Sequence, residues 1–313
     1  MLRLSTRAPA KVNLVLRVGA ARADGYHEIE SLMVPLDLAD DVEVRVFPGR
    51  PGEVRCRCPG HPELDGPSNL AARAAEEFRG RFGIADRCHV RVVKRIPVTA
   101  GLGGGSSDAA AVLRCLARAY RIRDRRALAA AALALGSDVP FFLAGGAAWA
   151  RGRGERLRPA RVPHLDILLA YPRDPRLAIR AGDAYRWLDD SRSGSAVRRF
   201  TARVRPFRAD DVRNDLQAPC FARFSELGRL RALLEEHGAA VSIMSGSGPT
   251  VFGLFRDRRA ARAGKRTLTE RRHGVGAVDL FLTRAIRHLP RVSSWKSPRS
   301  ASSRSTRRSS RPT

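Results

Sequence analysis

Apolar and polar residues alternate along Lys11–Val18, and again along His27–Leu38 and Asp40–Phe47. That period predicts three early strands with turns between them. The spacing turns helical over Ser68–Gly83, with Ser68 as the N-cap and Gly83 as the stop. Cys88–Pro97 reads as a strand closed by its proline. A glycine loop follows, then an alanine- and leucine-rich helix over Asp108–Tyr120 and a second helix ending at Gly136. Gly, Arg and Pro cluster over 152–163 and mark a seam. Beyond it come a buried-type strand (His164–Pro172), helices over Ala181–Asp190 and Ala218–His237, and a strand, glycine turn and strand over Ala239–Phe255. A helix (Arg258–Arg272) and a last strand (Ala277–Thr283) complete the pattern. Runs of strands and helices without regular βαβ alternation predict an α+β fold. The expected division is 1–157, 158–289 and a Ser/Arg-rich tail, 290–313, too poor in apolar residues to order itself. Trimming 291–313 is accordingly expected to leave activity unchanged.

Composition changes this picture only in part. A chain of 313 residues, 43% hydrophobic, can bury a real core. No apolar run approaches the ~20 residues of a membrane-spanning helix. The first residues lack the apolar stretch of a signal peptide. The five cysteines, Cys56, Cys58, Cys88, Cys115 and Cys220, are scattered and odd in number. They read as thiols in a reducing cytoplasm, with no disulfide framework and no zinc site. The net charge of +27 invites a nucleic-acid reading. Seven of the basic residues fall in 291–313, however, and Arg outnumbers Lys 54 to 4 along the whole chain. With only 6% aromatics there is little for bases to stack on, so the charge reads as a solvated basic surface without a specific nucleic-acid site.

The glycine loop carries the chemistry. Gly101, Gly103, Gly104 and Gly105 stand between a strand and a helix, followed by Ser106, Ser107 and Asp108. A helix N-terminus presents unpaired N–H groups and partial positive charge. Glycines before it let the backbone curl around phosphate oxygens. The three polar residues are candidates to cap the helix, and a serine hydroxyl can also meet phosphate or magnesium. Neither a P-loop ending nor G-x-G-x-x-G spacing is present.

The run Pro97-Val-Thr-Ala-Gly101-Leu-Gly103-Gly104-Gly105-Ser106-Ser107 resembles the ATP loop of the GHMP kinases, Pro-x-x-x-Gly-Leu-Gly-Ser/Gly-Ser-Ser. Three further segments carry the resemblance across residues 5 to 285: the stretch holding Lys11, Asn13 and Asp24-Gly-Tyr-His27, the stretch holding Asp138, and the second glycine motif around Gly246-Ser247-Gly248. Together they narrow it to the branch whose acceptor is a cytidine-diphosphate sugar alcohol. The resemblance implies a two-lobed fold with a ribosomal protein S5 domain 2-like first lobe, ATP as phosphoryl donor, and Mg2+ as its counter-ion. It implies a small-molecule acceptor and no membrane partner.

The residues alone and the resemblance do not always agree. Asp138 after Gly136-Ser137 reads alone as an N-cap; the resemblance makes it the catalytic base. Lys11 reads alone as an outward-facing strand residue, yet it is one of four lysines in an arginine-dominated chain. That retention points to a compact charge, and the resemblance pairs it with Asp138. Lys94 and Asn69 are placed near the ATP base or phosphates, with a surface lysine the competing reading for Lys94. Tyr26 and His27 read alone as hairpin-edge packing; the resemblance makes Tyr26 the cytosine-stacking ring and His27 the hydrogen-bonding partner of the base. Asn13 joins them on the substrate side. Gly246 and Gly248 cradle the diphosphate or brace the cleft, and Arg213–Pro219 is structural. One departure stands out: Ala181 occupies the place where the family often has Thr, four residues before Tyr185.

Overall fold

The computed structural model describes residues 1–192, 200, 209–270 and 274–296. Two antiparallel-rich sheets organise the chain. The first is built on two long strands, β1 (Leu2–Ala21) and β2 (His27–Pro51). It continues through β3 (Val54–Arg57) and β4 (Asp86–Val93), with β5 (Ala148–Gly152) beside β2 and β6 (Arg156–Pro159) beside β5. Helices α1 (Leu70–Phe82), α2 (Gly104–Ala119), α3 (Arg125–Leu135) and the short α4 (Phe141–Ala144) supply the core beneath it, including Phe78, Leu113, Leu116, Phe141 and Phe142.

The second sheet begins with β7 (Asp166–Pro172), so the chain crosses between sheets after Pro159. Helices α5 (Ala181–Ser191), α6 (Gln217–Arg223), α7 (Ser225–Glu236) and α8 (Arg258–Glu270) accompany it. Its strand order is β11-β7-β10-β9, with β9 Val241–Met244, β10 Val251–Phe255 and β11 Val278–Arg284. The two-residue β8 (Arg213–Asn214) returns to pair in parallel with β1.

β1 serves three hydrophobic clusters in turn. Leu4 and Ala8 enter the core of the first lobe, Val12 and Leu14 the layer shared with Ile167, Leu169 and Phe252, and Leu16 and Val18 the core of the second lobe. A single strand therefore ties both lobes together, and the residues midway along it lie where the lobes meet.

Several expectations need correction. The predicted turn between the second and third strands is absent, and both form one continuous β2. Asp40, at the expected start of the third strand, is fully buried and accepts the backbone N–H groups of Arg95 at 2.5 Å and Ile96 at 2.9 Å. The cap of α1 is Asn69, not Ser68, and its side chain accepts from Ala71 N. Helix α2 starts at Gly104 with Gly103 as N-cap, so Ser106, Ser107 and Asp108 lie inside its first turns and do not cap it. The predicted helix over Ala218–His237 breaks at Phe224 into α6 and α7. The tail is ordered further than expected: β12 (Ser293–Lys296) pairs with Leu2–Ser5, and Thr6 Oγ1 and Arg114 donate to carbonyls at Pro290. Backbone pairing needs no apolar side chains, which is why composition hid this strand. Residues 297–313, the rest of the expected tail, lie outside the described residues, as does the end of the predicted helix at Arg271–Arg272.

Candidate active site

The middle of β1 presents Lys11 and Asn13, both buried, on one side. Register shifts against β2 fall between Pro9 and Lys11 and between Asn13 and Val15. Such bulges re-aim side chains locally. The Lys11 N–H donates to Leu102 O at 2.9 Å, which fastens the glycine loop to the strand beside this lysine. Lys11 Nζ lies 3.3 Å from Asp138 Oδ2 and donates to Asn13 Oδ1 at 2.8 Å. Asp138 caps no helix: α4 begins after Pro140 with no side-chain cap, and the Asp138 carboxylate is 37% exposed. The reading of Asp138 as an N-cap is thereby set aside.

The glycine loop is tight where it meets the protein and open where it faces outward. Gly101 and Gly103 have φ near +70°, in the left-handed region. A Cβ on Gly103 would lie 3.0 Å from Lys11 Cγ, and one on Gly104 would lie 3.3 Å from Lys94 Nζ. A Cβ on Gly105 would meet nothing within 4 Å. The second glycine turn packs against the first. Ser245 Oγ donates to Gly101 O at 3.1 Å, and a Cβ on Gly246 would stand 3.4 Å from Lys11 Nζ. Gly248 has φ +83° and no room for a Cβ beside Met244 Sδ. Asn214 donates to Met244 O and Gly246 O at 2.8 and 2.7 Å, which gives the Arg213–Pro219 segment its bracing role.

Lys94 is no surface lysine. Its side chain is 7% exposed and bridges Asp40 at 2.6 Å and Asp108 at 2.7 Å, beneath the loop. Burial works against its charge, but the two carboxylates outweigh that and hold its pKa above the ordinary lysine value. Burial pushes the Asp108 carboxyl up, with Lys94 opposing and Asp40 adding to the rise. One cation thus faces two buried carboxyl groups. Asp108 Oδ1 and Ser107 Oγ are buried and have no hydrogen-bond partner among the described residues.

Two clefts meet here. The first, of about 630 Å3, is lined by Lys11, Asn13, Tyr26, His27, Asp138 and Tyr185, among others. The second, of about 400 Å3, is lined by Asn69, Lys94, Pro97, Gly104, Gly105 and Asp108, among others. Gly101, Gly103 and Ser106 line both. Of the sequence-predicted residues, Lys11, Asn13, Tyr26, His27, Asp138 and Gly246 line the first cleft, and Asn69, Lys94, Pro97, Gly104 and Gly105 the second, whereas Ser107 is buried and lines neither. Gly248 also lines neither and belongs to the turn behind, where its N–H donates to Ser245 O.

The wall of the first cleft is aromatic. Tyr26 is 47% exposed, with the Arg153 guanidinium 4.8 Å above its ring. His27 stacks on Tyr185 with centroids 5.0 Å apart, and its Nε2 lies 3.0 Å from Asp189. Burial first, and the Asp138 charge second, raise the Tyr185 pKa and keep its phenol neutral. Sequence reasoning missed Tyr185, Asp189 and Arg153 as cleft residues. A signal existed for two of them: Ala181, Tyr185 and Asp189 recur every four residues and share one face of α5. Ala181 lines the cleft with its methyl group, so no hydroxyl stands there. Asn69 Nδ2 donates to Leu64 O at 2.8 Å while its Oδ1 caps α1, so the side chain is committed to structure at the edge of the second cleft.

All five cysteines are free and buried. Among the described residues no helix is long and apolar enough to cross a membrane, and no group of three acidic, His or Cys side chains could hold a metal alone.

Comparison with known proteins bears on the family and the fold. Residues 69–146 match the GHMP kinases N terminal domain, and residues 205–273 match GHMP kinases C terminal. A 4-diphosphocytidyl-2-C-methyl-D-erythritol kinase from Anaeromyxobacter sp. (strain K) is 64% identical over 314 residues, covering 100% of both chains. One from Deinococcus radiodurans is 42% identical, covering 84% of this chain and 88% of its own. A crystal structure of 4-(cytidine 5'-diphospho)-2C-methyl-D-erythritol kinase superposes with a TM-score of 0.71 at 33% identity, over 90% of this chain and 99% of that one. Homoserine kinase from Cytophaga hutchinsonii shares the fold alone, with a TM-score of 0.63 at 16% identity over 93% of this chain and 97% of its own. The fold is the two-lobed α+β fold of the GHMP kinases, and within them the chain belongs to the 4-diphosphocytidyl-2-C-methyl-D-erythritol kinase family.

Proposed function

We propose that this protein transfers the γ-phosphoryl group of ATP to the 2-hydroxyl of 4-diphosphocytidyl-2-C-methyl-D-erythritol, a step of the non-mevalonate route to isoprenoid precursors. The observation that carries the reading is the wall of Gly101, Gly103 and Ser106 shared by two clefts, with the Lys11–Asp138 pair beside it. Donor and acceptor would meet across that wall.

Each residue has a role in this reading. The second cleft takes ATP, with its phosphates on the N–H groups of Gly104 to Ser106 at the start of α2. Open space at Gly105 suits close approach by phosphate. Asp138 accepts the hydroxyl proton of the acceptor and aims its oxygen. Lys11 stabilises the charge that develops on that oxygen. Positioning and electrostatics supply most of the rate in phosphoryl transfer, so a fixed ion pair suits the task. Tyr26, His27 and Tyr185 offer the cytosine a stacking surface and a directional polar partner. Asn13 and the turn at Gly246 close the acceptor side.

Ser107 Oγ and Asp108 Oδ1, buried and without partners among the described residues, are polar atoms suited to Mg2+ arriving with ATP phosphates. The ion would neutralise charge on the transferring group. Five buried thiols suit a cytoplasmic setting.

The test is ADP release with Mg-ATP and one of three acceptors: the cytidylated methylerythritol, mevalonate or homoserine, with product identified by mass. Phosphorylation of the cytidylated acceptor alone is expected. Turnover of mevalonate or homoserine instead would discard the cytidine pocket, and Tyr26→Ala with unchanged acceptor KM would do the same.

A further inference from the structure

Behind Lys11 runs a chain of buried hydrogen bonds with one direction. Lys11 Nζ donates to Asn13 Oδ1 at 2.8 Å, Asn13 Nδ2 donates to Ser31 Oγ at 2.7 Å, and Ser31 Oγ donates to Val15 O at 2.7 Å. All three side chains are buried, Ser31 completely.

The direction follows from chemistry at both ends. An ammonium has donors only, and a backbone carbonyl is an acceptor only. The Ser31 hydroxyl has one proton, and Val15 O takes it. What Ser31 offers Asn13 is therefore a lone pair, and it requires an N–H in return. The amide must then turn its oxygen toward Lys11. The strand geometry makes this meeting possible. The β1–β2 register shifts between Asn13 and Val15, passing over Leu14, while Ser31 stands opposite Leu16.

We propose that Ser31 is a positioning residue of the phosphoryl-transfer site. Resting on the function proposed above, it fixes the orientation of the Asn13 amide, and through it holds the Lys11 ammonium toward Asp138 and the acceptor cleft. Ser31 does not line that cleft, so it acts without touching substrate. Without its hydroxyl, the Asn13 N–H group loses its acceptor in a buried place, and the amide is no longer held to one orientation.

The test compares Ser31→Ala with Ser31→Cys, a variant of nearly native volume with a weaker donor and acceptor, each alone and combined with Asn13→Ala. Wild-type turnover of the cytidylated acceptor is measured first; its absence would count against the proposed function, separately from Ser31. With wild-type turnover in hand, folded Ser31 variants are expected to lose roughly 10-fold or more in kcat, with KM for ATP unchanged. In the Asn13→Ala background the same substitutions should cost almost nothing further, because the link they break is already gone. A folded Ser31→Cys with native kcat would overturn the proposal. So would losses that multiply in the double variants, since they would give Ser31 a merely structural effect independent of Asn13. Should Ser31→Ala fail to fold, the Ser31→Cys and Asn13→Ala cycle decides alone.

Discussion

Ser245 Oγ donates to Gly101 O at 3.1 Å, joining the glycine turn of the second lobe to the phosphate loop of the first. A Cβ on Gly101 would collide with Ser245 O and lie 2.7 Å from Gly248 O. Both obstacles are backbone, which cannot rotate away, and φ at Gly101 is +73°. Gly101→Ala is expected to force the two turns apart and lower kcat/KM by about 100-fold, the scale of an ångström-sized misplacement. Gly105→Ala should instead fold as the wild type and raise KM for ATP, because its Cβ meets only open space. Steady-state kinetics and thermal melting of both variants check this contrast.

Asp138→Asn keeps the shape of the side chain but removes the proton acceptor near Lys11. The expected loss in kcat is about 100- to 10,000-fold, with ATP affinity nearly unchanged. Turnover by mass-resolved product and ATP binding by calorimetry separate the two effects. Native kcat would take Asp138 out of the mechanism.

Lys94→Met removes the single cation between Asp40 and Asp108. Breaking a buried ion pair from one side costs about 3–5 kcal/mol, because a charge is left uncompensated. Urea unfolding should show a loss on that scale. A loss of roughly 0.5 kcal/mol or less, as at ordinary surface sites, would leave Lys94 as a nucleotide contact with no structural duty.

Several carboxylates are stabilised in their ionised form in the folded chain. Asp65 lies below the usual range because it accepts from Cys58 N and pairs with Arg57, and Asp257 because it accepts from Ala260 N. Their folded pKa values are depressed, so their contribution is present above the unfolded pKa and lost as pH falls through the folded one. The share that these carboxylates contribute should therefore hold a plateau from about pH 7 to 5 and be lost below about pH 4. Asp65→Asn should lower the plateau and flatten that acid limb. A melting curve of wild type and variant against pH checks both.

Much of this was legible in the sequence, and the exceptions have physical causes. Alternation located β1, and the glycine run marked the phosphate loop, because both patterns are local. Nothing local marks Asp40, read as the first residue of a third strand, as buried. Its burial depends on Lys94 and on the N–H groups of Arg95 and Ile96, far along the chain. The start of α2 was set too late because glycines are poor helix formers; here Gly104 and Gly105 are held by a loop fastened to Lys11 N. Tyr185 and Asp189 were visible as a helical stripe, but only the folded chain brings that stripe to His27. The hydrogen-bond order through Ser31 has no sequence signature, since it depends on a skipped register position.

Gly101, Gly103 and Ser106 face both clefts, so the loop is a common boundary for two ligands. A molecule that settles on one side and stiffens this boundary removes part of the ordering cost for a molecule on the other, and by linkage the favour is returned in equal measure. A single compound reaching across it, with a nucleotide-like group in one cleft and a pyrimidine-like group in the other, would make its second contact intramolecular. Its avidity would then be set by linker length more than by either half alone.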